Sequence, residues 1–575
     1  MVRSVIADDR KVLNMFLPTT LEEIQKLHWV SLDVILVSGD TYIDSSYIGV
    51  SVIGKVLLKA GYKVGIIAQP DVNSSEDISR LGEPTLFWGV TAGSVDSMIA
   101  NYTATGKKRK KDDYTPGGIN NRRPDRATIV YTNLIKHNFK NTKPIVLGGI
   151  EASLRRVAHY DYWDNQIRRS ILFDSKADFL VYGMAEKSIL KLADFLKGEG
   201  NVKDLRGVCY ISEFQEENSL ILPSFLEVRQ DKKKLIKMFH MFYQNQDAFQ
   251  GKTLAQQQDS RYLIHNPPSY PCSEKKLDEI YELDYERNVH PYYQKWGSVR
   301  ALDTIKFSIT SHRGCFGECN FCAIPVHQGR TIQSRSEQSI IREAKKLTMD
   351  EDFKGYILDV GGPTANMYGM GCGSKFPNGH CLKKHCLVPL VCDHLLLNHQ
   401  KQIQLLRKIR KIEGIKKVFI ASGIRYDLVL ADQRNGENYL KNLILYHTSG
   451  QLKVAPEHIQ DHILILMGKK NQYHLARFKK LFDRFNKLAQ NRQYLTYYFM
   501  AAHPGCREED MFFLKQFIEK ELHLKPEQVQ IFIPTPSTYS SIMYYTDMNP
   551  FNEDSIFVEK RIKNKEKQKK IITNN

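Results

Sequence analysis

Residues 305–322 read IKFSITSHRGCFGECNFC. An apolar run, IKFSIT (305–310), leads into a loop with three cysteines, Cys315, Cys319 and Cys322, spaced x3 and then x2. The run predicts a β-strand, and the thiols follow its C-terminal end. Five similar runs come after it: GYILDVG (355–361), KKVFIAS (416–422), GQLKVAP (450–456), YLTYYFMAA (494–502) and VQIFIP (529–534). Amphipathic helical stretches lie between them, for example 335–348, 402–413 and 471–489. Six β/α units in series predict a partial (β/α)6 TIM-type barrel of parallel strands. In such a barrel the strand C-terminal ends form the working face, and the cysteine loop lies there.

The chain has ten cysteines, seven of them between Cys315 and Cys392. Its first twenty residues, MVRSVIADDRKVLNMFLPTT, carry acidic groups and no sustained apolar core, unlike a secretory signal. No run of about 18 apolar residues suggests a membrane span. A cytoplasmic, reducing setting is expected, in which metal binding outranks disulfides. A structural zinc site wants four closed ligands; His312 or His327 could supply the fourth, so spacing alone leaves zinc open. Ferredoxin-type clusters also need four thiolates. Three thiolates on a cubane leave one iron with an open position for a substrate or cofactor.

Upstream of the barrel, DVILV (33–37), YKVGII (62–67), ATIVY (127–131), PIVLGG (144–149) and ADFLVYG (177–183) read as buried strands. Ile48, Val52, Val56 and Ala60 repeat as a helix face between the first two. This βαβ pattern predicts a doubly wound parallel sheet over residues 1–200. Residues 201–300 read as a connector, 301–540 as the barrel with a cysteine-rich loop inserted at 370–395, and 541–575 as an extension ending in a basic, disordered tail. GVSVIGKV (49–56) imitates a phosphate loop, but Val56 stands where a Mg²⁺-binding hydroxyl is needed, so packing is the better reading. The net charge is +18, with basic runs at 107–111, 121–126 and 559–570. Such a surface can attract nucleic acid, yet the runs carry no interleaved aromatics and read as solvated loops and tail.

The C-x3-C-x2-C loop, with Phe321 before its last cysteine, resembles the radical S-adenosylmethionine (SAM) superfamily. Longer stretches resemble its YgiQ-type subgroup: YTPGG (114–118), GGIEASLRRVAHYDYW (148–163), SHRGCFGECNFCAI (311–324), GGPTANMY (361–368), VAPEH (454–458) and AAHPG (501–505). The resemblance implies a [4Fe–4S] cluster on Cys315, Cys319 and Cys322, SAM on its open iron, an external electron donor and a 5′-deoxyadenosyl radical acting on an unidentified substrate. It also implies cofactor contacts from Phe321, from the Gly361–Gly362 turn, where Pro363 replaces the usual acid, from Ser422 and Arg425, and from Glu457 at the ribose.

Cys372, Cys381, Cys386 and Cys392, with His380 and His385 nearby, form a second group that could hold zinc or a second cluster. The N-terminal sheet resembles a cobalamin-binding architecture. The D-x-H-x-x-G signature is absent, and His28, His137 and His159 lack its context, which argues against cobalamin. Two rivals stand beside the radical SAM reading. One is a radical SAM enzyme acting on RNA, although residues 1–200 lack the cysteines of the methylthiotransferases. The other is a non-enzymatic zinc or iron–sulfur binding protein.

Overall fold

The structure is a computed structural model that describes residues 16–373, 381, 386–490 and 492–573. The chain divides into two compact units. The first runs to Tyr270 and takes in Glu279–Lys306; the second comprises Pro271–Asp278 and the chain from Phe307 onward.

The first unit is built on one sheet. Its elements in chain order are β1 (Val34–Ser38), α1 (Gly49–Lys59), β2 (Val64–Ala68), β3 (Phe87–Thr91), α2 (Ala127–Asn138), β4 (Ile145–Gly148), α3 (Gly149–Leu154), β5 (Phe179–Val181), α4 (Glu186–Leu196), β6 (Val208–Ser212), β7 (Leu220–Leu222), β8 (Leu254–Gln258) and β9 (Arg261–His265). The strand order is β7-β8-β9-β6-β5-β4-β3-β1-β2. From β2 to β5 every pairing is parallel, and β6 joins antiparallel. Every residue of β1 and β2 is buried, as expected of strands covered on both faces.

Two expectations are corrected here. ATIVY opens helix α2 instead of a strand. Its buried residues, Ala127, Thr128, Tyr131, Thr132 and Ile135, fall on one helical face, so tertiary packing overrides the β-branched run. The parallel strand in that interval is β3, FWGVT. Residues 201–270 are no connector, because β6 to β9 extend the sheet. Their pattern is obscured by buried glutamines: Gln256 accepts from the Ala158 amide at 2.9 Å and Gln258 from the Ser170 amide at 2.8 Å. The phosphate-loop imitation lies inside α1, where Lys55 is buried and pairs with Asp44 at 3.3 Å.

The second unit contains β10 (Ser308–Thr310), α5 (Glu337–Leu347), β11 (Asp359–Gly361), α6 (Gln400–Arg410), β12 (Lys417–Val418), α7 (Tyr426–Ala431), β13 (Gln451–Glu457), α8 (Asp461–Met467), α9 (Gln472–Asn486), β14 (Tyr494–Ala501), α10 (Glu508–Phe517), β15 (Gln528–Ile531), α11 (Tyr539–Thr546) and α12 (Ile562–Thr573). β10 pairs parallel with β11, and Tyr356–Ile357, just before β11, pairs parallel with β12. A parallel bridge links Ile424, beyond β12, to Val454 of β13; β13, β14 and β15 then pair in parallel. Six strands in sequence order with helices between them make the partial barrel.

The basic tail expected to be disordered instead forms helix α12, packed against α10. Lys565, Gln568 and Ile572 are its buried face. The lysine-rich composition hides this stripe, because Lys565 is itself a buried member, its Nζ 2.7 Å from the Tyr544 hydroxyl. Gln568 accepts from the Ala502 amide at 2.9 Å and donates to the Cys506 carbonyl at 3.2 Å.

Candidate active site

The cysteine loop leaves β10 through Ser311 and a short antiparallel pairing of His312–Arg313 with Gln333–Ser334. Gly314 turns the chain at φ +83°, and a Cβ there would lie 2.1 Å from the Thr331 carbonyl oxygen. The Cys315 amide donates to the Gly329 carbonyl at 3.2 Å. Further along, the Asn320 amide donates to Met467 O and its side-chain amide to Leu466 O, each at 2.9 Å, fixing the loop to the end of α8. The Ser540 amide donates to Asn320 O at 2.9 Å, tying in the start of α11. The Cys322 amide closes a turn on Cys319 O at 2.9 Å.

Cys315 is buried, while Cys319 and Cys322 are partly accessible. Burial pushes the Cys315 thiol up, against the pull of Thr364 and Arg425; Cys315 Sγ lies 3.4 Å from Thr364 Oγ1. The Cys322 thiol is pushed up by burial and then by Cys319 and Cys315, so the three sulfurs feel one another. Burial opposes the Arg425 charge, yet Asp427 and then Cys319 hold it well above the usual arginine value. Its Nη1 donates to Cys319 Sγ at 3.4 Å, while Nε and Nη2 bind Asp427 at 3.0 and 2.6 Å.

The Gly361–Gly362 turn stands beside this loop. The Ser311 amide donates to Gly361 O at 2.7 Å, and His312 Nε2 lies 3.1 Å from Thr364 O. Ser422 donates its hydroxyl to Asp359, whose other oxygen accepts from the Ala421 amide at 2.8 Å. Glu457, at φ +66° on the end of β13, faces Lys469 Nζ at 3.4 Å, and that ammonium sits 5.7 Å from the Phe321 ring centre. Phe321 meets His503 edge-on, with ring centres 6.3 Å apart. Asp359, Thr364, Asp427 and Lys469 were missed in the sequence. Only Asp427 left a local signal, as the acid two residues beyond Arg425.

Of the second cysteine group, Cys386 and Cys392 are buried in one apolar cluster with Cys315, Phe316, Met367 and Leu428. Cys372 pairs across a short ladder with Leu395, and Cys381 is exposed. His380 and His385 lie outside the described residues. Among the described residues, no three Cys, His, Asp or Glu side chains form a compact shell for a single metal ion. A cubane binds each protein thiolate at a different iron, so its ligand triangle is wider than a single-ion shell.

A thiol loop on the C-terminal rim of a partial barrel, following an α/β unit, is the arrangement of radical SAM enzymes, and the chain is an enzyme of that class. The family model described as Radical SAM N-terminal matches residues 16–308. The UPF0313 protein FN0734 of Fusobacterium nucleatum is 56% identical over 559 residues, covering 97% of this chain and 98% of the relative. A UPF0313 protein of Thermotoga maritima is 49% identical over 561 residues, with 97% and 98% covered. The chain therefore belongs to the UPF0313 family, YgiQ-type radical SAM proteins. In fold it is similar to OxsB, described as a cobalamin-dependent S-adenosylmethionine radical enzyme, at a TM-score of 0.51 and 13% identity, covering 92% of this chain and 57% of OxsB. No helix among the described residues is long and apolar enough to cross a membrane.

Proposed function

We propose that Cys315, Cys319 and Cys322 hold a [4Fe–4S] cluster whose open iron takes SAM, and that the enzyme modifies an as yet unidentified substrate by hydrogen abstraction. The observation that carries this is three mutually interacting thiols on one rim loop, with a guanidinium on the middle one. Reduced by an external one-electron donor, such a cluster would supply the electron that splits SAM into methionine and a 5′-deoxyadenosyl radical. The chain's part is to bind, orient and exclude water. Loading must displace protons from Cys315 and Cys322, whose thiols burial favours. Phe321 and Lys469 would line one side of the bound SAM, and Glu457 would accept hydrogen bonds from its ribose hydroxyls. The Gly361 carbonyl is engaged by Ser311, so the carbonyls after it, on Gly362 and Pro363, would hold the SAM amino group. Ser422 supports Asp359 on the rim, with its hydroxyl beside Gly361.

We infer that the first unit takes no corrin, although OxsB is described as cobalamin-dependent. In its parallel order 2-1-3-4-5 the ligand crevice falls at the switch point between β1 and β3. Here Arg123, 3% exposed, fills that point: its guanidinium lies 2.8 Å from Asp40 Oδ1 and 2.5 Å from Ala92 O, and 3.0 Å from Asp112 Oδ2. Asp40 also accepts from the Ser94 amide at 2.6 Å, and Asp96 pairs with Arg155 beside it. Displacing these buried pairs to admit a corrin costs several kcal/mol, roughly 3–5 per broken pair.

Anaerobic reconstitution tests the reading. About four irons and four sulfides per chain, with SAM cleavage on reduction that Cys319→Ala abolishes, is the expected result. Stoichiometric zinc without SAM cleavage would overturn it. Added cobalamin should remain unbound in an absorbance titration.

A further inference from the structure

Arg425, expected from the sequence to contact the cofactor, turns its guanidinium toward Cys319, and its geometry is too constrained for a bystander. Its backbone amide donates to Asn366 Oδ1 at 2.8 Å, and the Asn366 side chain returns a bond to Arg425 O at 3.0 Å. Asn366 is fully buried, so this clasp fixes the residue on the rim. Asp427 then takes Nε and Nη2 in a two-point grip, which aims Nη1 at Cys319 Sγ. Gly317 makes room for it. A Cβ at that position would lie 2.6 Å from Arg425 Nη1 and 3.2 Å from Cys315 Sγ. Gly314 in the same loop has a positive φ and Gly317 does not, so Gly317 is needed for close approach and not for backbone conformation.

Resting on the cluster reading above, we propose that Arg425 is the charge partner of the cluster sulfur on Cys319 and raises the potential at which the cluster accepts its electron. Reduction adds negative charge to the cluster. A hydrogen bond and a positive charge on a ligating sulfur stabilise the reduced state, and a buried site screens them little. Asp427 holds the guanidinium in place and partly offsets its charge. Gly317 is the third member of the device, because its missing side chain sets the distance. Arg425 is thus a positioning and tuning residue whose effect precedes SAM binding.

The experiment is a mediated redox titration of the reconstituted full-length protein, followed by EPR, without SAM. Arg425→Gln should leave at least tenfold less reduced cluster at a fixed poise, a downward shift of about 59 mV or more for a one-electron couple. Gly317→Ala, which displaces the guanidinium without removing its charge, should shift the same way. Asp427→Asn should shift the potential upward. If Arg425→Gln fails to load iron, the other two variants decide. Full iron loading with the wild-type midpoint in Arg425→Gln and Gly317→Ala overturns the proposal, even if SAM affinity falls. A wild-type protein that shows no cluster signal overturns the cluster reading instead, and this inference with it.

Discussion

Gly314→Ala is the sharpest probe of how the loop is built. Gly314 sits at φ +83°, and an alanine Cβ would meet Thr331 O at 2.1 Å, Thr331 C at 3.0 Å and Gly329 O at 3.4 Å. The left-handed backbone alone costs about 1–2 kcal/mol in an L-residue. The clash is with backbone, which cannot rotate away, so relief requires moving the 329–331 segment at a further ~1–3 kcal/mol. Together these predict a loss of about 2–5 kcal/mol, confined to the loop and its partner strand. The assay is amide hydrogen exchange across 312–334 in the metal-free protein, where about 2 kcal/mol or more means exchange faster by roughly 30-fold or more. Gly317→Ala is the control. It has no backbone strain to pay and meets only side-chain atoms, so exchange there should change little. Exchange within twofold of wild type in Gly314→Ala would refute the reasoning.

Three further outcomes follow from the same physics. Arg123→Met strands Asp40 and Asp112 in the first unit and should cost about 3–5 kcal/mol in its urea unfolding; a loss under about 1 kcal/mol would contradict the buried network. Gln568→Ala leaves the Ala502 amide and the Cys506 carbonyl unpaired and should cost about 1–3 kcal/mol in the second unit, and an unchanged melting temperature would show that α12 is not held as described. Burial lowers His447 to about 4 and His503 to about 3, so from an unfolded value of about 6.5 the unfolded chain binds more protons in between. Stability is then full above about pH 6.5 and falls as pH drops toward 3–4, by order 2 kcal/mol per histidine at pH 5; a melting temperature flat from pH 7 to 5 would contradict this.

The barrel was legible because each strand is a short apolar run followed by a helix with a 3.6-residue stripe, and the cysteine loop marks which end of the first strand faces the chemistry. The first unit was harder. Its helix α2 begins with the β-branched run ATIVY, and only the buried face through Ile135 shows its period. The β8 strand carries glutamines at core positions, because they cap loop amides that no sequence pattern announces. In α12 a buried lysine sits where an apolar residue would have drawn the eye. At the site, the cysteines were readable from spacing, whereas Arg425's attachment to Asp427 and Cys319 depends on the close approach at Gly317, a three-dimensional fact.

The central claim is an open coordination position on a three-thiolate cluster. The most direct measurement is the EPR spectrum of the reduced, reconstituted protein before and after SAM is added. The account predicts a [4Fe–4S]⁺ signal whose g-values shift on addition of SAM, and the loss of that response in Cys319→Ala. A cluster spectrum that SAM leaves unchanged, or a reconstituted protein with no cluster spectrum, would contradict it.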